Sequence, residues 1–282
     1  VDGSEHAQAA TSMLCGLPLP PESSVIALSV IPPRRPYQRS ALEAALEQTC
    51  QTLRGANLAA ETELLQGHPA AKIVEFSERQ KPDLIMLGAK GRRATLGILL
   101  GGVVQQVVEL AQQPVLVVRA PYTGLRRVLL VTDGSDDSQR AVEYLARFSP
   151  SARISVQAMH ILPPYPMTEI LAKSGMLNTY TASPSLPVDI GVIIDDQAQE
   201  EERQGKNLLT QTIQTLKAAN VQASKVMPRG DAATEIIAHA QEHNIDLIIA
   251  GSRGLGQVRG WLMGSVSRKL VHYAGCSVLI VK

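Results

Sequence analysis

The chain has 282 residues, a formal net charge of +1 and 45% hydrophobic residues, with only 3% aromatic, so its cores must be aliphatic. That balance gives no electrostatic reason to expect nucleic acid or an anionic membrane surface as a partner. Three scattered cysteines without a Cys-x-x-Cys pair argue against a disulfide framework or zinc cluster. No apolar run nears the roughly 18 residues of a membrane span and no secretory leader is recognisable, so the expectation is cytoplasmic.

In chain order, the first stretch, DGSEHAQAATSML (2–14), returns 131 residues later as DGSDDSQRAVEYL (133–145), and Pro32-Pro33 returns as Pro163-Pro164. Further on, GHPAAKIVEFSERQKPDLIMLGAKGR (67–92) returns 163 residues later as GDAATEIIAHAQEHNIDLIIAGSRGL (230–255). Continued without a gap to Arg119 and Lys282, this second register holds 17 identities in 53 positions. Two homologous copies therefore follow one another, joined near APYTGLRR (120–127). The registers differ by 163 − 131 = 32 residues, so the second copy carries an insertion between Pro164 and Gly230. The domains expected are 1–121 and 125–282, the latter with its insertion at 163–196.

The second copy opens with a buried-type strand, RRVLLVT, ending at Asp133. SQRAVEYLARF has helical spacing, with Ala141, Leu145 and Phe148 on one stripe, and RISVQAMHIL reads as a strand. After the insertion, EERQGKNLLTQTIQTLKAAN is helical, with Leu208, Thr212 and Thr215/Leu216 on one side. A short strand (SKVMPRG), a helix (AATEIIAHAQEHN), a strand (DLIIAG), a helix (SVSRKLVHYA) and a strand (SVLIVK) complete it. Short, near-continuous apolar strands alternating with helices predict a parallel sheet covered on both faces. Each copy is expected to be a five-stranded α/β sandwich. Copy one has only Val1 where the central first strand should stand, so residues upstream of Val1 are expected.

Ligands of open α/β sheets bind beyond the carboxyl ends of the strands, where the strand order reverses. Asp133 and Gly251 end two such strands; if these are neighbours, Asp133, the Gly251–Gly254 turn and the helix start at Gly264-Ser265 share one crevice. That helix start offers unpaired amides and the positive end of a dipole to an anion. Gly264 lets phosphate oxygens approach the backbone, Ser265 and Ser267 add hydroxyls, and Arg253, Arg259 or Arg268 could neutralise charge. Other motifs carry less. HAQEH (239–243) fits His-x-x-Glu-His, but copy one has Phe76 and Gln80 at the two histidine positions and no third zinc ligand is evident. His160 lies next to the proposed base contact and is a candidate ligand neighbour. There is no Gly-x4-Gly-Lys-Ser/Thr and no dinucleotide fingerprint.

Gly251-x2-Gly254-x9-Gly264-Ser265 resembles the ATP-binding signature of the universal stress protein family. Asp133-Gly134-Ser135 and the closing CSVLIVK resemble that family too, over essentially the whole chain. The resemblance implies an adenine nucleotide alpha hydrolase-like fold with strand order 3-2-1-4-5. It implies ATP, with or without Mg2+, as ligand: Thr132 and Asp133 hold the adenosine, and Ile161 lies beside the base. Ala250, Gly251, Arg253 and Gly254 would line the nucleotide, and Gly264, Ser265, Val266 and Ser267 would take the phosphates. Copy one departs from the pattern. Its matching positions, Asp2, Val30, Gly88, Lys90, Gly91, Gly101 and Gly102, keep the glycine spacing, but Gly102 and Val104 replace the two serines. Copy two is therefore the expected main site, with Lys90, Arg92 and Arg93 as partial compensation in copy one. Edge strands paired across a two-fold axis are implied as an intramolecular pseudo-dimer, with a further homodimer and a protein partner open. The expected role is stress-response regulation by nucleotide occupancy without catalysis. A scaffold that binds no nucleotide, and a slow ATP hydrolase, are the alternatives.

Overall fold

The computed structural model describes residues 1–33, 39–91, 100–148, 153–165, 190–255 and 263–282, with backbone alone for 190–195. Copy one contributes α1 (Glu5–Cys15), β1 (Ser24–Ile31), α2 (Arg39–Gly55), β2 (Ala59–Gln66), α3 (Pro69–Gln80), β3 (Ile85–Gly88), α4 (Gly102–Leu110) and β4 (Val115–Val118). Copy two contributes β5 (Arg127–Val131), α5 (Asp136–Phe148), β6 (Ser155–Met159), α6 (Ile190–Ala218), β7 (Ala223–Val226), α7 (Ala232–Glu242), β8 (Leu247–Gly251), α8 (Ser265–Tyr273) and β9 (Ser277–Val281).

Seven strands form one sheet in the order β3-β4-β9-β8-β5-β6-β7, and β1 and β2 pair in parallel beside it. Within copy two the order β7-β6-β5-β8-β9 is 3-2-1-4-5, all parallel, with β5 between β6 and β8. The fold is therefore α/β with parallel-dominated sheets. The described residues of copy one hold four strands, in two pairs. Between them, the Val1 amine donates to the Leu28 carbonyl of β1, and the Ser29 hydroxyl donates to the Val1 carbonyl.

Alternation along the strands supplies both cores. Leu129 of β5, Met159 of β6, Ile248 and Ala250 of β8 and Val278 and Ile280 of β9 bury one face, with Ile236 of α7 and Leu270 of α8. Val128 and Leu130, Val156, Leu247 and Ile249, and Leu279 bury the other, with Ala141, Val142 and Leu145 of α5 and Leu216 of α6. Helix α6 buries Gly205, Leu209, Thr212 and Leu216, while Leu208 reaches sideways to Gly134. Spacing alone placed Leu208 on that stripe; it stands one residue off. Gly205 allows the crossing, because a Cβ there would stand 2.9 Å from His160 Cδ2 and from Met227 Sδ.

The two copies meet edge to edge. Strand β4 pairs antiparallel with β9 as Val115↔Ile280, Leu116↔Leu279 and Val117↔Val278. Leu116 and Leu279 differ by 163, the repeat offset, so the ladder centres on a residue facing its own counterpart, as an isologous contact requires. The residues after the ladder reciprocate. Arg119 donates from Nη2 to the Val271 carbonyl at 2.9 Å, near the end of α8. Lys282, its counterpart, donates from Nζ to the carbonyl of Val108, the counterpart of Val271, at 2.7 Å. Cations belong at helix carboxyl ends. Exposed apolar edges are thereby covered.

Candidate functional site

Because β5 and β8 are neighbours, the turns after them face each other at the carboxyl end of the sheet. Asp133 follows β5 and is half-buried. Its Oδ1 accepts from the Ser135 amide at 3.0 Å and the Ser135 hydroxyl at 2.6 Å, and its Oδ2 accepts from the Leu255 amide at 3.1 Å. The carboxylate lies over the glycine turn: a Cβ on Gly254 would stand 2.4 Å from Asp133 Oδ2. Gly251 is equally constrained from the other side, where a Cβ would meet the backbone of Asp137 and Ser138 at 2.5 and 2.6 Å. The first turn of α5 thus rests directly on the end of β8.

Helix α8 starts against the same turn. The Gly264 amide donates to the Ser252 carbonyl at 2.8 Å, and a Cβ on Gly264 would lie 3.4 Å from Arg253 Cα. Gly264 is the N-cap, in extended conformation, and makes no side-chain cap bond. Ser265 is exposed and Val266 half-buried, whereas Ser267 is buried and its hydroxyl donates to the Gly251 carbonyl at 2.7 Å. Ser267 therefore ties α8 to β8, and its single proton is committed there. Half-buried Val131, Ile161 and Val266 pack against the core cluster shared by α7 and α8, which also contains Ala250. Thr132 faces α5, its hydroxyl 3.2 Å from that of Ser138, and its carbonyl is 2.9 Å from His160 Nδ1. Tucked under Gly205 of α6, His160 stands on the face opposite Ile161.

The geometry thus gathers Asp133, Gly251, Arg253, Gly254, Gly264, Ser265 and Val266 around one corner, with Ile161 and Ala250 on the α8 side. Arg259, Arg92 and Arg93 lie outside the described residues, as does 166–189 of the insertion. The His239 and His243 rings of HAQEH stack at 3.9 Å, and His239 Nε2 lies 2.7 Å from Gln157 Oε1, so that pair bonds within the fold. Among the described residues no group of three or more His, Cys, Asp or Glu could hold a metal ion.

A buried polar network escaped the sequence reading. Asp137, only 2% exposed, accepts from the Ser252 hydroxyl and from Arg253 Nε at 3.2 Å on Oδ2, and from Arg140 on Oδ1. Burial alone would push its pKa up; the Ser252, Arg253 and Arg140 donors outweigh burial and hold the carboxyl below the usual range. The signal available was the register, where copy one has His6 and Ala89 in place of Asp137 and Ser252.

Copy one repeats the frame with different side chains. A Cβ on Gly88 would meet His6 C at 2.5 Å and the Ala7 amide at 2.7 Å; one on Gly91 would stand 2.7 Å from Asp2 Oδ2. Gly101 donates to the Ala89 carbonyl at 2.8 Å and caps α4, whose exposed first residue is Gly102. The Ser4 hydroxyl donates to the Lys90 carbonyl at 3.2 Å, and the Ser135 hydroxyl oxygen stands at the matching place, 3.1 Å from the Arg253 carbonyl. Val30, at the end of β1, matches Ile161.

The profile of the Universal stress protein family matches residues 1–119 and again 124–282. The chain belongs to the universal stress protein family. Universal stress protein YxiE of Bacillus subtilis is 27% identical over 156 residues, which is 55% of this chain and 98% of that protein. A universal stress protein of Mycolicibacterium smegmatis is 23% identical over 270 residues, covering 89% of this chain and 82% of its own. The crystal structure of a universal stress protein from Archaeoglobus fulgidus superposes on 100% of this chain and 94% of its own, with a TM-score of 0.63 and 20% identity. That likeness extends the fold over both copies. Among the described residues no helix is long and apolar enough to cross a membrane.

Proposed function

We propose that the second copy binds an adenine nucleotide, ATP in the first instance, and that this stress-response protein acts through occupancy of that site. The observation that carries this reading is the start of α8. Its cap is a glycine without a side-chain cap bond, set against a glycine turn that a carboxylate overlies. The first amides of a helix have no acceptor within it, and Gly264 itself sets only a hydrogen beside them. A ribose hydroxyl would donate to Asp133, in exchange for one of its internal donors. Ile161 and Val266 offer the apolar surface a purine needs. Any Mg2+ would arrive on the phosphates, where Asp133 could serve as a carboxylate ligand. Ser267 serves the site by holding α8 on β8, and the phosphate donors are Ser265 and the backbone.

The self-matching register of β4 and β9 supports an intramolecular pseudo-dimer, in which copy one buttresses the copy that binds. Occupancy rather than turnover is the proposed output. One observation favours the scaffold reading: the Asp133 carboxylate already has three internal donors and the Ser267 proton is spent. Two measurements on the purified chain decide: identification of ligand released by denaturation, and titration calorimetry with ATP. An adenine nucleotide near one per chain is expected. No released ligand and no heat with ATP would leave the scaffold.

A further inference from the structure

In copy two the backbone of Arg253 and its side chain point to different tasks. Its Cα lies against the Gly264 cap, and its carbonyl is 3.1 Å from the Ser135 hydroxyl oxygen. The side chain leaves the turn for α5, where Nε donates to Asp137 Oδ2 at 3.2 Å. Asp137 is 2% exposed, but the Arg253 side chain is 45% exposed. Should Arg253 leave, the Ser252 hydroxyl and Arg140 still cover both carboxylate oxygens. No bare charge is then stranded in the interior, which is the usual large penalty for breaking a buried pair. The exposed partner is free to go. Copy one has no such arrangement: His6 stands in place of Asp137, and its Nδ1 accepts from the Ala120 amide at 2.9 Å.

We propose that Asp137 competes with the ligand for the Arg253 guanidinium, and so sets how strongly copy two favours a long phosphate chain over a short one. The proposal rests on the nucleotide reading of the Gly264 corner. A nucleoside, or a single phosphate at the cap, leaves the Asp137–Arg253 pair intact. Additional phosphates add negative charge beside Arg253 and draw it off Asp137, at the expense of that ion pair. Asparagine at 137 keeps the shape and an acceptor for Ser252 while removing the charge that retains Arg253.

Titration calorimetry of the full chain with ATP, AMP and adenosine, on wild type, Asp137→Asn, Arg253→Met and the double variant, tests this. Asp137→Asn is expected to tighten ATP about threefold, the scale of a half-exposed ion pair, and to leave AMP and adenosine unchanged. In the Arg253→Met background the same change is expected to do nothing. Equal tightening in both backgrounds would make it a general field effect and overturn the proposal, as would unchanged or weaker ATP binding. A wild-type readout covers a misfolded variant: the 15Nε resonance of Arg253 should move on saturation with ATP and stay put with adenosine. An unmoved resonance under ATP counts against the proposal. If none of the three ligands binds wild type, the nucleotide reading itself falls.

Discussion

Copy one seats a glycine, Gly88, at the end of β3 against the backbone of His6 and Ala7; copy two seats Gly251 at the end of β8 against that of Asp137 and Ser138. The closest approach of a built Cβ is 2.5 Å in both. Around these matched frames the side chains diverge: Asp137 against His6, Ser252 against Ala89, Ser267 against Val104. Duplication kept the backbone that forms the corner, and varied the groups that tie or charge it. The comparison separates what the architecture requires from what one site requires.

The largest expected effect falls on the shared part. Alanine at Gly88 or Gly251 puts a methyl group onto helix backbone, which cannot swing aside as a side chain tip can. Either substitution should cost about 3 kcal/mol, at the upper end of overpacking penalties, read from urea unfolding followed by two probes. Equal losses confirm that both frames carry the fold. A tolerated Gly88→Ala beside a damaging Gly251→Ala would mean that only the second frame is tight in solution.

Next comes the serine that copy one lacks. Ser267→Val removes the 2.7 Å bond to the Gly251 carbonyl and should cost about 1 kcal/mol, the net worth of an ordinary hydrogen bond. The mirror change, Val104→Ser, places a hydroxyl in an aliphatic cluster and should cost as much or more, about 1–3 kcal/mol. If Ser267 were chiefly a phosphate ligand, Ser267→Val would instead leave apo stability untouched and lower nucleotide affinity alone. The two readouts, unfolding and calorimetry, therefore divide the roles.

These contrasts also mark how far the sequence could be read. The doubled registers, the Gly-x2-Gly-x9-Gly spacing and the alternation of strands with helices were sufficient for the α/β fold and for the corner where Asp133 meets Gly254. Spacing reports which backbone positions must be bare. It does not report which way a polar side chain turns. Ser265 and Ser267 look equivalent in the motif, yet one is exposed and the other is buried on the Gly251 carbonyl. Asp137 lies in the first turn of α5, and only the approach of β8 shows that it meets Ser252 and Arg253. The joint between copies comes from the family resemblance and not from spacing, because an edge strand does not name its partner; the pairing of Leu116 with Leu279 shows the repeat offset in it.

The smallest effect expected is one of pH, and it distinguishes positions 6 and 137 by window. Burial is the main cause that lowers the His6 pKa. The geometry agrees, because Nδ1 accepts from the Ala120 amide and so must keep its lone pair. The unfolded chain then takes up the proton first. Stability from His6 is complete above the unfolded histidine value of about 6.5 and declines as pH falls below it. Asp137, also lowered, keeps its contribution until the pH falls through the unfolded aspartate value of about 3.9 and onward. Acidification from pH 8 to 5 should therefore draw on copy one at this position and spare its counterpart. His239, lowered chiefly by burial, adds to the same window, so the measure is the difference between wild type and His6→Gln in urea midpoint against pH. The His6→Gln curve should be flatter between pH 7 and 5, and the Asp137→Asn curve should part from wild type only toward pH 4 and below. Parallel wild-type and His6→Gln curves from pH 8 to 5 would show that the imidazole is not held by that amide.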